Sequence, residues 1–129
     1  MANEKNDNHT LLDTGIQGEV KIADDVVAAI AAIAAGEVEG VGKKTVGLGG
    51  TLMEYVGVRR KDSNVRVEVV GDIVHVDINI TVRYGYSIPS VSGKVQEKIK
   101  STIENMTGLN VSDVNVRISG IEMNGDSEE

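Results

Sequence analysis

Residues 65–83 carry the plainest pattern in the chain. Val65, Val67 and Val69 alternate with Arg66 and Glu68, and Gly71-Asp72 supplies a turn signal. Val74, Val76, Ile78, Ile80 and Val82 then alternate with His75, Asp77, Asn79, Thr81 and Arg83. Successive side chains of a strand point to opposite faces, so this period of two predicts a β-hairpin with one buried face and one wet face. A helical period takes over at 87–106. Val91, Val95, Ile99, Ile103 and Met106 fall on one stripe, and Lys94, Glu97, Lys98 and Lys100 fill the other. This is an amphipathic helix, with Pro89 tolerated in its first turn and Gly108 as its stop. Val114, Val116 and Ile118 alternate with Asn115 and Arg117 and predict a last strand.

Upstream, residues 18–22 (GEVKI) place Val20 and Ile22 on one side of a short strand. The apolar run 26–35 (VVAAIAAIAA) predicts a helix, because alanine has the highest helix propensity and Ile30 and Ile33 sit at helical spacing. Asp24 and Asp25 precede it and complement the free N–H groups of a first turn; Gly36 or Gly40 ends it. Its six alanines within 28–35 make a thin helix that a neighbour approaches closely. Residues 40–50 read as a glycine-rich loop, Thr51–Val56 as a short helical turn, and 59–64 as a charged turn. The order is β-α-(loop)-β-β-α-β. A hairpin with one wet face puts both main helices on the other face, which gives an α+β two-layer sandwich with a small mixed or antiparallel sheet. Residues 1–17 read as a flexible lead, 18–121 as a single domain, and 122–129 as an acidic disordered tail.

Composition narrows the chemistry. Twenty Val and twelve Ile against five Leu, with no Phe or Trp, agree with a sheet-based core of medium-sized side chains. The 129 residues contain no cysteine, which removes disulfides, thiolate nucleophiles and Cys-ligated metals. The longest apolar run, ten residues at 26–35, is about half of what crosses a bilayer. The formal charge is -7. Residues 19–121 hold thirteen acids and twelve bases, so the acidity concentrates at the two ends and the body is nearly neutral.

No catalytic constellation emerges, and no cofactor or metal set. Residues 36–45 (GEVEGVGKKT) fail as a phosphate-binding loop, since Glu37 and Lys44 stand where Gly and Ser or Thr are required. Gly47-Leu48-Gly49-Gly50, with Lys43 and Lys44, matches the GxxG loop of KH-type RNA-binding modules, so Lys43, Lys44, Gly47 and Gly50 form a candidate RNA contact, set against a plain flexible connector. His75 and Asp77 share a face, but one His with one Asp is not a ligand set. Arg66, Glu68, His75, Asp77, Asn79, Thr81, Arg83, Asn115 and Arg117 form either a solvated sheet face or a docking surface for a partner or a second copy.

The ordered set of segments resembles the alkaline shock protein family, also called the Gls-type envelope stress response family, of Gram-positive bacteria. The residues that carry the resemblance are Glu37-Val38-Glu39-Gly40-Val41 after the first helix, the valine-rich hairpin ending at Tyr84-Gly85, Val95-Gln96, Met106-Thr107-Gly108-Leu109, and Val114-Asn115-Val116. The match covers roughly residues 18 to 123, and the weak helix signal of 49–58 departs from it. The resemblance implies a non-enzymatic cytoplasmic protein without cofactors. It acts as a binding or scaffold module in envelope or alkaline stress, recruited to the inner face of the membrane by a partner and able to self-associate. It also leaves open a regulator that binds an enzyme of fatty-acid or lipid metabolism.

Overall fold

The computed structural model describes residues 9–12, 17–43 and 64–123. In chain order the elements are β1 (His9–Leu12), β2 (Val20–Ala23), α1 (Asp24–Gly36), β3 (Val65–Val70), β4 (Ile73–Arg83), α2 (Ile88–Thr107) and β5 (Asn110–Glu122). The expected helical turn at Thr51–Val56 and residues 59–63 of the expected charged turn lie outside the described residues.

β4 is the centre of a three-stranded mixed sheet in the order β3-β4-β5. β3 pairs with it antiparallel, with Val67 opposite Val76, and β5 pairs with it parallel, with Val76 opposite Val114. A parallel neighbour needs a crossover, and α2 supplies it. Beyond the reach of β3, residues 40–42 continue that same edge of β4 through the Val41–Val82 bridge. The hydrogen bonds Gly42 N–H to Thr81 O and Arg83 N–H to Gly40 O, both 2.8 Å, fix it there. β1 and β2 form a separate antiparallel pair. A main-chain ladder needs no apolar alternation, which is why residues 9–12 read as part of a lead and yet form a strand.

The core lies between the sheet and the two helices. Val74, Val76, Ile78, Ile80 and Val82 of β4 are at most 2% exposed. Val27, Ile30, Ala31, Ala34 and Ala35 of α1 and Val91, Val95, Ile99 and Ile103 of α2 close over them. Each such Val or Ile contributes about 1.5–3 kcal/mol by leaving water. The alanine face of α1 lets α2 lie beside it, and α1 spans β3 as well. Ala23 occupies the N-cap of α1 without a side-chain bond, and Asp24 and Asp25 stand in the first turn, where their charge suits the helix dipole.

α2 begins with Ser87, whose Oγ accepts the Ser90 N–H at 3.3 Å, and ends at Gly108. The stripe expected to close on Met106 closes one residue later. Met106 is 65% exposed and Thr107 is buried, because the four-residue step from Ile103 lands on Thr107. The threonine satisfies its hydroxyl locally, donating to Ile103 O at 2.6 Å and accepting from the Leu109 N–H at 3.1 Å.

Candidate docking surface

The face of the sheet away from the helices is built in cross-strand rows by the register. Glu68, His75 and Asp113 form one row; Arg66, Asp77 and Asn115 the next; Asn79 and Arg117 the third. Thr81 beside Gly120 and Arg83 beside Glu122 complete the face. All nine residues expected there from the alternation, Arg66, Glu68, His75, Asp77, Asn79, Thr81, Arg83, Asn115 and Arg117, thus share one side of the sheet. Of the candidate RNA-contact residues, Lys43 is described and Lys44, Gly47 and Gly50 lie outside the described residues. The Lys43 N–H donates to Glu122 Oε1 at 3.1 Å.

Two irregularities in β5 decide which side chains join the face. The register skips Ser112 and Ser119, so each is an extra residue bulged out of the ladder. Both serine hydroxyls reach back to carbonyls of β4, Ser112 to Val74 O and Ser119 to Ile80 O, each at 3.3 Å. The first bulge sets Asp113 opposite His75, and the second sets Gly120 and Glu122 on the polar side. Gly42 meets this corner edge-on. A Cβ there would collide with Thr81 Oγ1 and the Glu122 carboxylate, which are joined to each other at 2.9 Å.

His75, Ser112 and Asp113 bring together the three residue types of a hydrolytic triad, and their geometry excludes that role. A proton relay needs serine on one ring nitrogen and the acid on the other. Here Asp113 Oδ1 at 2.6 Å and Ser112 Oγ at 3.0 Å both address Nδ1, and Ser112 Oγ also bonds Asp113 directly. The cluster instead fixes the Asp113 carboxylate in place. Hydrogen bonds from Ser112, then from His75 and Asn115, hold the Asp113 carboxyl below the usual carboxylate range. Asn115 extends the network, donating to Asp113 Oδ2 at 3.1 Å and to Asp77 Oδ1 at 2.9 Å.

Next to this network the face sinks into a shallow depression of about 350 Å3, lined by Asn64, Arg66, Asp77, Asn79, Asn115 and Arg117 over Ile78 and Val116. Arg66 and Arg117 stand in it with no ion pair or side-chain hydrogen bond among the described residues, and Arg83 beyond it has none either. The acids of the face are therefore mostly engaged and its arginines are not. No group of three or more metal-ligating side chains occurs among the described residues. No described helix is long and apolar enough to cross a membrane.

Asp113 and Ser112 are the participants the sequence reading missed. It began the last strand at Val114, and the bulge breaks the alternation that would have extended it upstream. The signal available was Val111 with Val114, two buried residues at a spacing that no regular strand allows.

A protein of Bacillus subtilis (strain 168), uncharacterized protein YqhY, is 36% identical over 112 residues, spanning 87% of this chain and 83% of its own length. The stress response regulator gls24 homolog of Streptococcus pyogenes serotype M3 is 27% identical over 112 residues, spanning 86% of this chain and 63% of its own length. Among solved structures, a MamM CTD variant matches 75% of this chain and 94% of its own at a TM-score of 0.45 and 16% identity. The model of the alkaline shock protein 23 family, described by a cell envelope-related function, matches residues 13–123, and the chain belongs to that family.

Proposed function

We propose that the chain is a non-enzymatic docking module of the envelope stress response, and that the polar face of the β3-β4-β5 sheet is the surface it offers to a protein partner at the inner face of the membrane. The observation that carries this reading is the imbalance of the face. A hydrogen-bonded network holds Asp113, Asn115 and Asp77 in place, while Arg66 and Arg117 line the depression beside Asp77 and make no ion pair or side-chain hydrogen bond among the described residues. An arginine fork matches a carboxylate bidentately, so the surface suits an acidic segment of a partner. Family membership supports an envelope-related role, and the convergence of Ser112 and Asp113 on one ring nitrogen argues against hydrolysis.

The test reverses the charges of Arg66, Asp77 and Arg83 (R66E, D77K, R83E) and follows recovery of the protein with the membrane fraction of its own cell. The reading predicts that the wild type co-sediments with membranes and that the variant, folded by thermal unfolding, moves to the supernatant. Equal recovery of the two would count against the face.

A further inference from the structure

We propose that the depression selects a partner segment of alternating charge, two acids about 12 Å apart with a base between them, rather than a run of acids. The inference rests on the docking role proposed above and names the sequence class of the acidic segment.

The register fixes where each charge of the face stands. Glu68 and Asp113 flank His75 in one row. The next row runs Arg66, Asp77, Asn115 across β3, β4 and β5, and the row after it holds Asn79 beside Arg117. The two arginines therefore stand on the outer strands, with a carboxylate between them on the central one. Neighbouring strands lie about 4.8 Å apart and successive rows of one face about 6.7 Å, so the two arginine Cα atoms are about 12 Å apart on the diagonal. Asp77 interrupts that diagonal.

Asp77 is only half engaged. Its Oδ1 accepts from Asn115 Nδ2 at 2.9 Å, on the β5 side. Its Oδ2 has no hydrogen bond or ion pair among the described residues, and Arg66, opposite it on β3, has none either. The same Asn115 amide also donates to Asp113 Oδ2 at 3.1 Å, which spends both of its N–H groups. Nothing from the network remains for Asp77 Oδ2. Glu68, exposed at the border of the depression, has no partner among the described residues.

A run of acids laid along the diagonal would answer Arg66 and Arg117 but set its middle acid against Asp77, and any overhang would meet Glu68 and Asp113. Like charges so placed oppose binding. A base in the middle answers Asp77 Oδ2 instead. An extended chain puts residues i, i+2 and i+4 on one face, with the outer two about 13 Å apart, which matches the diagonal. Glu-x-Lys-x-Glu has that form. The planar guanidinium forks take the two carboxylates, and the compact ammonium fits between them. Its inverse, Lys-x-Glu-x-Lys, sets every charge against its like.

Chemical-shift titration of the full chain with three acetylated and amidated peptides tests this. They are Ser-Ser-Glu-Ser-Lys-Ser-Glu-Ser-Ser, the all-acid form with Glu in place of Lys, and the inverse with Glu and Lys exchanged. The alternating peptide is expected to shift the amide signals of Asn79 and Arg117 saturably, the all-acid peptide to bind about fivefold more weakly despite its greater charge, and the inverse to leave both signals in place. Asp77→Asn, checked for folding by its unfolding midpoint, removes the charge that the lysine answers, so the all-acid peptide then binds more tightly than the alternating one. Wild-type binding of the all-acid peptide as tight as that of the alternating one overturns the proposal and leaves the docking role standing, since acids still bind the face. An order unchanged in D77N, shifts confined to another surface, or no shift from any peptide also overturns it. The docking role is read separately, from membrane recovery of the charge-reversed variant.

Discussion

Two side chains show how single residues hold the polar and buried ends of this domain. Thr107 is a buried residue whose hydroxyl is both donor and acceptor at the exit of α2. Replacing it by the isosteric valine keeps the shape and strips the Leu109 N–H of its acceptor, so T107V should cost about 1–3 kcal/mol, read from the denaturant midpoint. Asp113 acts through its charge. Its carboxyl is held below the ordinary aspartate value of 3.8, and that of Glu104 below 4.5, the latter mainly by Lys100 and then by the Val111 N–H. A depressed acid stabilises the fold fully above its unfolded value and loses that contribution as pH falls through the lower folded value. Acidification below about pH 4 should therefore lower the unfolding temperature, and D113N should flatten that fall.

At the scale of elements, the edge of β5 separates protected from open backbone. Glu104 shields the Val111 amide from water. E104A should speed hydrogen exchange at Val111 while leaving amides of the central β4 unchanged, a pattern that residue-resolved exchange reads directly. The elements also differ in how far the sequence exposed them. The β3-β4 hairpin was legible because its faces meet one environment each, core for Val74–Val82 and water for His75–Arg83. β5 was legible only from Val114, since a bulge is a deliberate break in the alternation by which strands are recognised. The bulge at Ser112 placed Asp113 against His75, and a second bulge at Ser119 placed Glu122 against Arg83, so the polar face was readable in its β3 and β4 columns and half-readable in β5. Main-chain pairing of His9–Leu12 with β2 left no periodic trace.

At the scale of the whole molecule, helices cover one side of a sheet whose other side carries a fixed acidic network beside uncommitted arginines. Residues 19–121 are nearly neutral, so what the face attracts is set by local arrangement rather than by net charge. An arginine-to-carboxylate contact on so open a surface is screened by salt, and membrane recovery should fall as ionic strength rises above about 0.15 M. The most direct measurement places a photo-crosslinking side chain at Asn79, inside the depression, and in a second variant at Ser101, on the outer side of α2. The account predicts a discrete protein adduct from Asn79 in living cells, lost when R66E is added, and none from Ser101. An adduct from Ser101 alone, or one from Asn79 indifferent to R66E, would contradict it.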